Sequence, residues 1–94
     1  VLEAPIEQAC RAHAIKRGCW PVKIHGTVTG EPDRGFVLPG HVFWPVEFKR
    51  TGGRLSPRQK QRHRELAALG FHVEVVDSTA HFRVLLDMYL QATS

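Results

Sequence analysis

Apolar residues recur along the chain with two different periods. From Pro5 to Gly18, "PIEQACRAHAIKRG" sets Ile6, Ala9, Cys10, His13 and Ala14 three or four apart. That is the spacing of one helix face, with Pro5 suited to a first turn and Gly18 to a terminating cap. In "CWPVKIH" (19–25) the pattern changes to alternation, the period of a strand, and Pro21 restricts it to an edge position or a late start. "RGFVL" and "HVFWPVEFK" flank Pro39 and Gly40 and read as two strands joined by a turn. Helical spacing returns in "SPRQKQRHRELAALG" (56–70), with Ser56 as N-cap, Pro57 as first helical residue and Gly70 as stop. "FHVEVVDS" (71–78) predicts a further strand, and 79–91 a closing helix with Phe82, Leu85, Leu86 and Tyr89 on one stripe and Leu90 at its edge. The order αβββαβα predicts an α/β fold whose mixed sheet is covered by helices on both faces.

Glu47 and Lys49 disturb the third strand, because alternation gives them positions that a buried hairpin fills with apolar side chains. Burying such groups is costly unless they are paired or bind a metal. The turn fixes their neighbours. Pro39 holds φ near −65°, which the primed two-residue hairpin turns do not accept, so the loop is three residues, Pro39, Gly40 and His41. Leu38 then pairs with Val42, and Asp33 falls opposite Glu47, with Lys49 on the same face. Two facing carboxylates repel unless a divalent cation lies between them. Pro45 leaves one alternative open: a bulge there shifts the register by one. In the plain alternative, Glu47 and Lys49 form surface ion pairs with nearby arginines, which are worth little.

Charge is distributed unevenly. The net charge is +4, yet seven bases and no acids lie between Lys49 and Arg64, leaving six bases against nine acids elsewhere. A basic stripe on an otherwise acidic chain is the footprint of a polyanion binder, and nucleic acid is the expected partner. Arg50, Arg54, Arg58, Lys60 and Arg62 are its candidate contacts. Other classes are disfavoured: no apolar run approaches the ~18 residues of a membrane span, and no phosphate-binding G-x-x-x-x-G-K-[ST] loop occurs. Two cysteines are too few for a disulfide framework, and Glu3 and Glu7 stand where a secretory leader would be apolar, so the cytoplasm is expected. Cys10, His13, Cys19 and His25 allow a zinc site on paper, but their spacing is unlike that of the common fingers. Cys10 also suits a small core position.

With these residues identified, the chain resembles a known family. Asp33 in "EPD" and Glu47 and Lys49 in "EFK" resemble the motif of the PD-(D/E)xK nucleases, and the whole is similar to the small VRR-NUC (virus-type replication-repair nuclease) domains. The resemblance takes in a helical Glu before "KRG", "PDRGFVLPG", "VEFKRTGGRLSPRQ" and "LGFHVEVVDS". It implies one domain over 1–94, with a restriction-endonuclease-like αβββαβ core and a C-terminal helix. It also implies Mg²⁺-dependent hydrolysis of DNA phosphodiesters, with Mn²⁺ able to substitute, in branched or structured DNA such as Holliday junctions, forks and flaps. By the same resemblance Asp33, Glu47 and the Phe48 backbone carbonyl hold the metal, Lys49 orients or deprotonates water, and Gln59 supports the site. Glu7 stands as the additional helix carboxylate near the metal, with Glu3 as the competing choice. Pro45 departs from the family's usual strand former. The reading from another class is a DNA-binding accessory module with an inert triad. A homodimer is also expected, because Val84 and Met88 form a second apolar stripe on the closing helix, opposite the first.

Overall fold

The computed structural model describes residues 1–25, 29–30 and 32–93. The elements follow the expected order: α1 (Glu3–Lys16), β1 (Trp20–Lys23), β2 (Arg34–Leu38), β3 (Val42–Phe48), α2 (Pro57–Ala68), β4 (Glu74–Val76) and α3 (Thr79–Thr93). Both expected glycine stops operate through the same hydrogen-bond pattern. Gly18, at φ 84°, lets Cys19 N–H reach the Ala14 carbonyl at 2.9 Å, and Gly70, at φ 92°, lets Phe71 N–H reach that of Leu66 at 2.9 Å. These are Schellman turns, in which a left-handed residue closes the last carbonyls of a helix. The second turn draws Phe71 back onto α2, so β4 begins at Glu74 rather than at Phe71.

The sheet runs β1-β2-β3-β4, antiparallel except for the parallel β3/β4 pair. Leu38 pairs with Val42, which makes the loop Pro39-Gly40-His41, and Gly40 and His41 both take positive φ. Gly35 pairs with Pro45 and the register runs on to Arg34 and Val46, so Pro45 makes no bulge. β4 joins only from Val46 onward, which leaves β3 an open edge at Pro45, the setting that strand prolines favour.

Even-numbered residues of β3 face the core. Trp44, Val46 and Phe48 are buried with Phe36 against Ile6, Cys10 and Ala14 of α1 and Phe82 and Leu86 of α3. Phe82 is the hub, 5.2 Å between ring centroids from Trp44 and 5.3 Å from Phe36. Ser78 accepts a hydrogen bond from His81 N–H and caps the helix that carries this residue. The opposite face is also covered by a helix, as expected, but far more thinly. α2 has no buried residue, and only Gln59, Arg62, His63 and Leu66 turn partly inward. That leaves the odd-numbered side of β3, with Phe43, Pro45 and Glu47, under a single loosely seated helix.

Candidate active site

Glu47 sits on that second face with only 1% of its surface exposed. The hairpin register brings Asp33, one residue before β2, across from it. Burial first, and then the neighbouring Asp33 carboxyl, push the Glu47 carboxyl up to about 9, while the Lys49 ammonium works against them. Asp33 Oδ2 is buried with no hydrogen-bond partner among the described residues. His63 of α2 places Nε2 3.4 Å from Glu47 Oε1 and is 12% exposed. Burial lowers the His63 pKa first, and the neighbouring His72 and Lys49 charges lower it further, so its ring is neutral at pH 7. Asp33, Glu47, Lys49 and His63 therefore act on one another at one end of β3. The core on the other face holds Phe48 and Val46 rigid, and with them the strand that carries Glu47.

The two helix carboxylates have different surroundings. Glu7 accepts a hydrogen bond from Arg34 Nε at 2.9 Å and lies 3.7 Å from Lys23 Nζ, so two cations already engage it. Glu3, one turn nearer the helix start, has its pKa raised by burial and then by the Asp33 charge, with Lys49 opposing. It also lines a cleft with Lys49, Arg50, Gly52, Gly53 and Arg54. Glu3 is thus the helix carboxylate that shares a cleft with Lys49. Gln59 is engaged locally: its Oε1 accepts from Ser56 N–H at 2.9 Å while Ser56 Oγ accepts from Gln59 N–H at 3.1 Å, a capping box at the start of α2.

No protein-family profile matches the chain, and no curated protein matches it. A solved structure described as "VRR_NUC domain" matches with a TM-score of 0.84 over 93% of this chain and 96% of that chain, at 26% sequence identity. The chain has the fold of a VRR-NUC domain. VRR-NUC domains form a nuclease-domain family, and the fold places Asp33 and Glu47 at the end of a hairpin beside Lys49. Among the described residues no group of three or more His, Cys, Asp or Glu side chains is arranged to hold a metal. Two carboxylates are nevertheless enough for Mg²⁺, which keeps several waters and is commonly held by one or two of them. The unpartnered Asp33 Oδ2 and the proton forced onto Glu47 are both relieved by a divalent cation, so the pair fits one. Cys10 and Cys19 are both buried in the apolar core.

The basic stripe divides when seen on the VRR-NUC fold. Arg50 and Arg54 stand exposed in the loop before α2, and Arg58 and Lys60 stand exposed on its first turns. Arg62 turns inward, donating to Glu65 through Nη1 and to the Thr29 carbonyl through Nε at 3.2 Å. The loop itself is anchored by Gly52 N–H on Asp77 Oδ2 at 3.1 Å and by Thr51 N–H on the Val1 carbonyl at 3.0 Å. His63 is the site neighbour that sequence reading passed over. Its signal was the i, i+3, i+4, i+7 series of Gln59, Arg62, His63 and Leu66, the one side of α2 that turns toward the sheet. No helix among the described residues is long and apolar enough to cross a membrane.

Proposed function

We propose that this domain is a metal-dependent deoxyribonuclease that hydrolyses phosphodiester bonds in branched or structured DNA. The observation that carries the reading is the part-buried Asp33 set opposite the buried Glu47 with Lys49 beside them, an arrangement that is unfavourable alone and relieved by a cation. Asp33 and Glu47 would hold Mg²⁺ or Mn²⁺, with the Phe48 carbonyl completing the protein ligands. Such an ion acidifies a bound water and neutralises developing charge on the phosphate. Lys49 orients the attacking water and donates to the non-bridging phosphate oxygens as charge grows on them. Glu3 and Glu7 are the acidic candidates from α1, and Glu3 has the stronger case because Lys23 and Arg34 already engage Glu7. Gln59 supports the phosphate side by holding the first turn of α2, whose amides favour anions. Arg50, Arg54, Arg58 and Lys60 hold the DNA backbone, a contact that carries no base sequence. Two copies acting together suit the two-sided geometry of a junction, and the exposed Val84 and Met88 of α3 supply an apolar face for pairing.

The test is incubation of purified protein with forks, flaps, four-way junctions and matched duplex in Mg²⁺, Mn²⁺ or EDTA. Cleavage of the branched substrates in either metal and none in EDTA is expected. Binding without cleavage in every metal tried would assign the domain to an accessory role instead.

A further inference from the structure

The loosely covered face of the sheet leaves a groove of about 530 Å³ whose walls include Pro32, Phe43, Pro45, Arg62, Leu66 and Phe71. Local backbone chemistry builds it. Leu66 and Phe71 are the two residues that the Schellman turn after α2 brings together. Phe43 lies over Gly35, where an added Cβ would come within 2.2 Å of its ring, so this wall requires glycine beneath it. Phe43 and Phe71 meet edge to face, 6.3 Å between centroids, and remain 37% and 42% exposed. A pair of aromatic rings is thus left open to solvent.

Position and charge say what belongs there. Phe43, Pro45 and Glu47 alternate along β3 and share one face, so Pro45 stands two residues, about 6.8 Å, from Glu47. Pro32 adjoins Asp33. The groove therefore opens within about two nucleotide steps of the carboxylates, at roughly 3.4 Å per step along one strand. Exposed Arg50, Arg54, Arg58 and Lys60 lie along the neighbouring loop and helix. An occupant that satisfies both surroundings is apolar on its faces and anionic in its connecting chain. A nucleobase on a phosphodiester backbone has both properties, whereas an apolar peptide side chain answers the groove and not the charge.

We propose that this groove receives one unpaired nucleobase beside the scissile phosphodiester, stacked against Phe43 and Phe71. The proposal rests on the DNA-nuclease reading above and gives it a physical origin for preferring branched DNA. A base enters only after leaving its partner and its stack, and that costs least where it is already unpaired. Every base has a flat π-face, so the slot selects DNA structure and not sequence.

The experiment compares a fork with an unpaired base next to the cleavage position, the same fork made abasic there, and a matched duplex. Affinities are measured in EDTA and cleavage in Mg²⁺, for the wild type, Phe71→Ala and Phe71→Trp. The wild type should bind the base-bearing fork roughly 5- to 100-fold more tightly than the abasic one. Phe71→Ala should lose that preference, Phe71→Trp should keep it, and all three should bind duplex equally. Equal wild-type affinity for the two forks overturns the slot, a comparison that does not depend on any variant folding. In that case cleavage of both forks in Mg²⁺ leaves the nuclease reading standing, whereas failure to bind or cut any of the DNAs overturns both. If Phe71→Ala changes the mass in light scattering but not the base preference, the groove is a protein contact and the proposal fails.

Discussion

A carboxyl group cut off from water and set beside another carboxyl keeps its proton well into the alkaline range, and Glu47 is held at about 9 in this way. Its folded value lies above the ordinary 4.5, so protonated Glu47 favours the fold fully below about pH 4.5, and this contribution is lost as pH climbs toward 9. Glu47→Gln should therefore raise the melting temperature at pH 8 and flatten its pH dependence. Relief of only 1 kcal/mol corresponds to about 4–8 °C in a domain of this size. Adding Mg²⁺ should raise the wild-type melting temperature at pH 8 and leave Glu47→Gln nearly unmoved; thermal scans with and without the ion check both. Asp33→Ala, Glu47→Ala and Lys49→Ala should each abolish cleavage while keeping DNA binding largely intact. An Asp33→Ala protein that cuts at the wild-type rate would sink the mechanism. The turn chemistry of Pro39 pairs Asp33 with Glu47 provided that Pro45 makes no bulge, and the observed register has none. His63 could not be placed from sequence, because its distance from Glu47 depends on how α2 settles on the sheet.

At the scale of elements, α2 has two jobs with opposite requirements. Its outer side and the loop before it present cations to solvent, and its inner side seats Arg62, His63 and Leu66 near the site. Arg62 is already satisfied by Glu65 and the Thr29 carbonyl, so its removal should loosen the groove without weakening the electrostatic hold on DNA. Arg54→Ala with Arg58→Ala should reduce the salt slope of duplex binding by about 1.8, at roughly 0.9 per phosphate contact, while Arg62→Ala leaves it unchanged. Binding isotherms at several salt concentrations distinguish the two. Ser56→Ala removes the reciprocal cap with Gln59 and should cost about 0.5–2 kcal/mol. Denaturant melts would register that loss. Ser56 was legible as the N-cap, whereas the late start of β4 was not, because Phe71 looks like a strand residue until the Schellman turn claims it.

Across the whole molecule, the two sheet faces differ in what they are for. α1 and α3 close one face over an aromatic core, and the other is left to the carboxylates and the groove. The closed face provides the rigidity, and Phe82→Ala, which removes the hub of that core, should destabilise by about 3–5 kcal/mol. Beyond the core, α3 turns Val84 and Met88 outward at 59% and 61% exposure. If this second stripe pairs two copies, light scattering should give a dimer mass at micromolar concentration and a monomer mass for Val84→Glu/Met88→Glu. A wild type that stays monomeric down the whole concentration series removes the homodimer.

Periodicity, capping residues and the geometry of one proline turn were local, so the sequence by itself determined the element order, both helix stops and the three-residue hairpin turn, while the absence of a bulge at Pro45, and with it the register that opposes Asp33 to Glu47, was decided by the structure. Each of the first three follows from residues within a few positions of one another, where backbone sterics leave few choices. What the tertiary structure alone decided depends on how elements meet. It distinguished Glu3 from Glu7 by setting Arg34 and Lys23 on one and Lys49 near the other. It turned Arg62 away from the basic stripe, brought His63 to Glu47, and left the second sheet face half covered. Burial, the direction of a long side chain and the fit of a helix on a sheet are set by partners distant in the chain, and no local pattern records them.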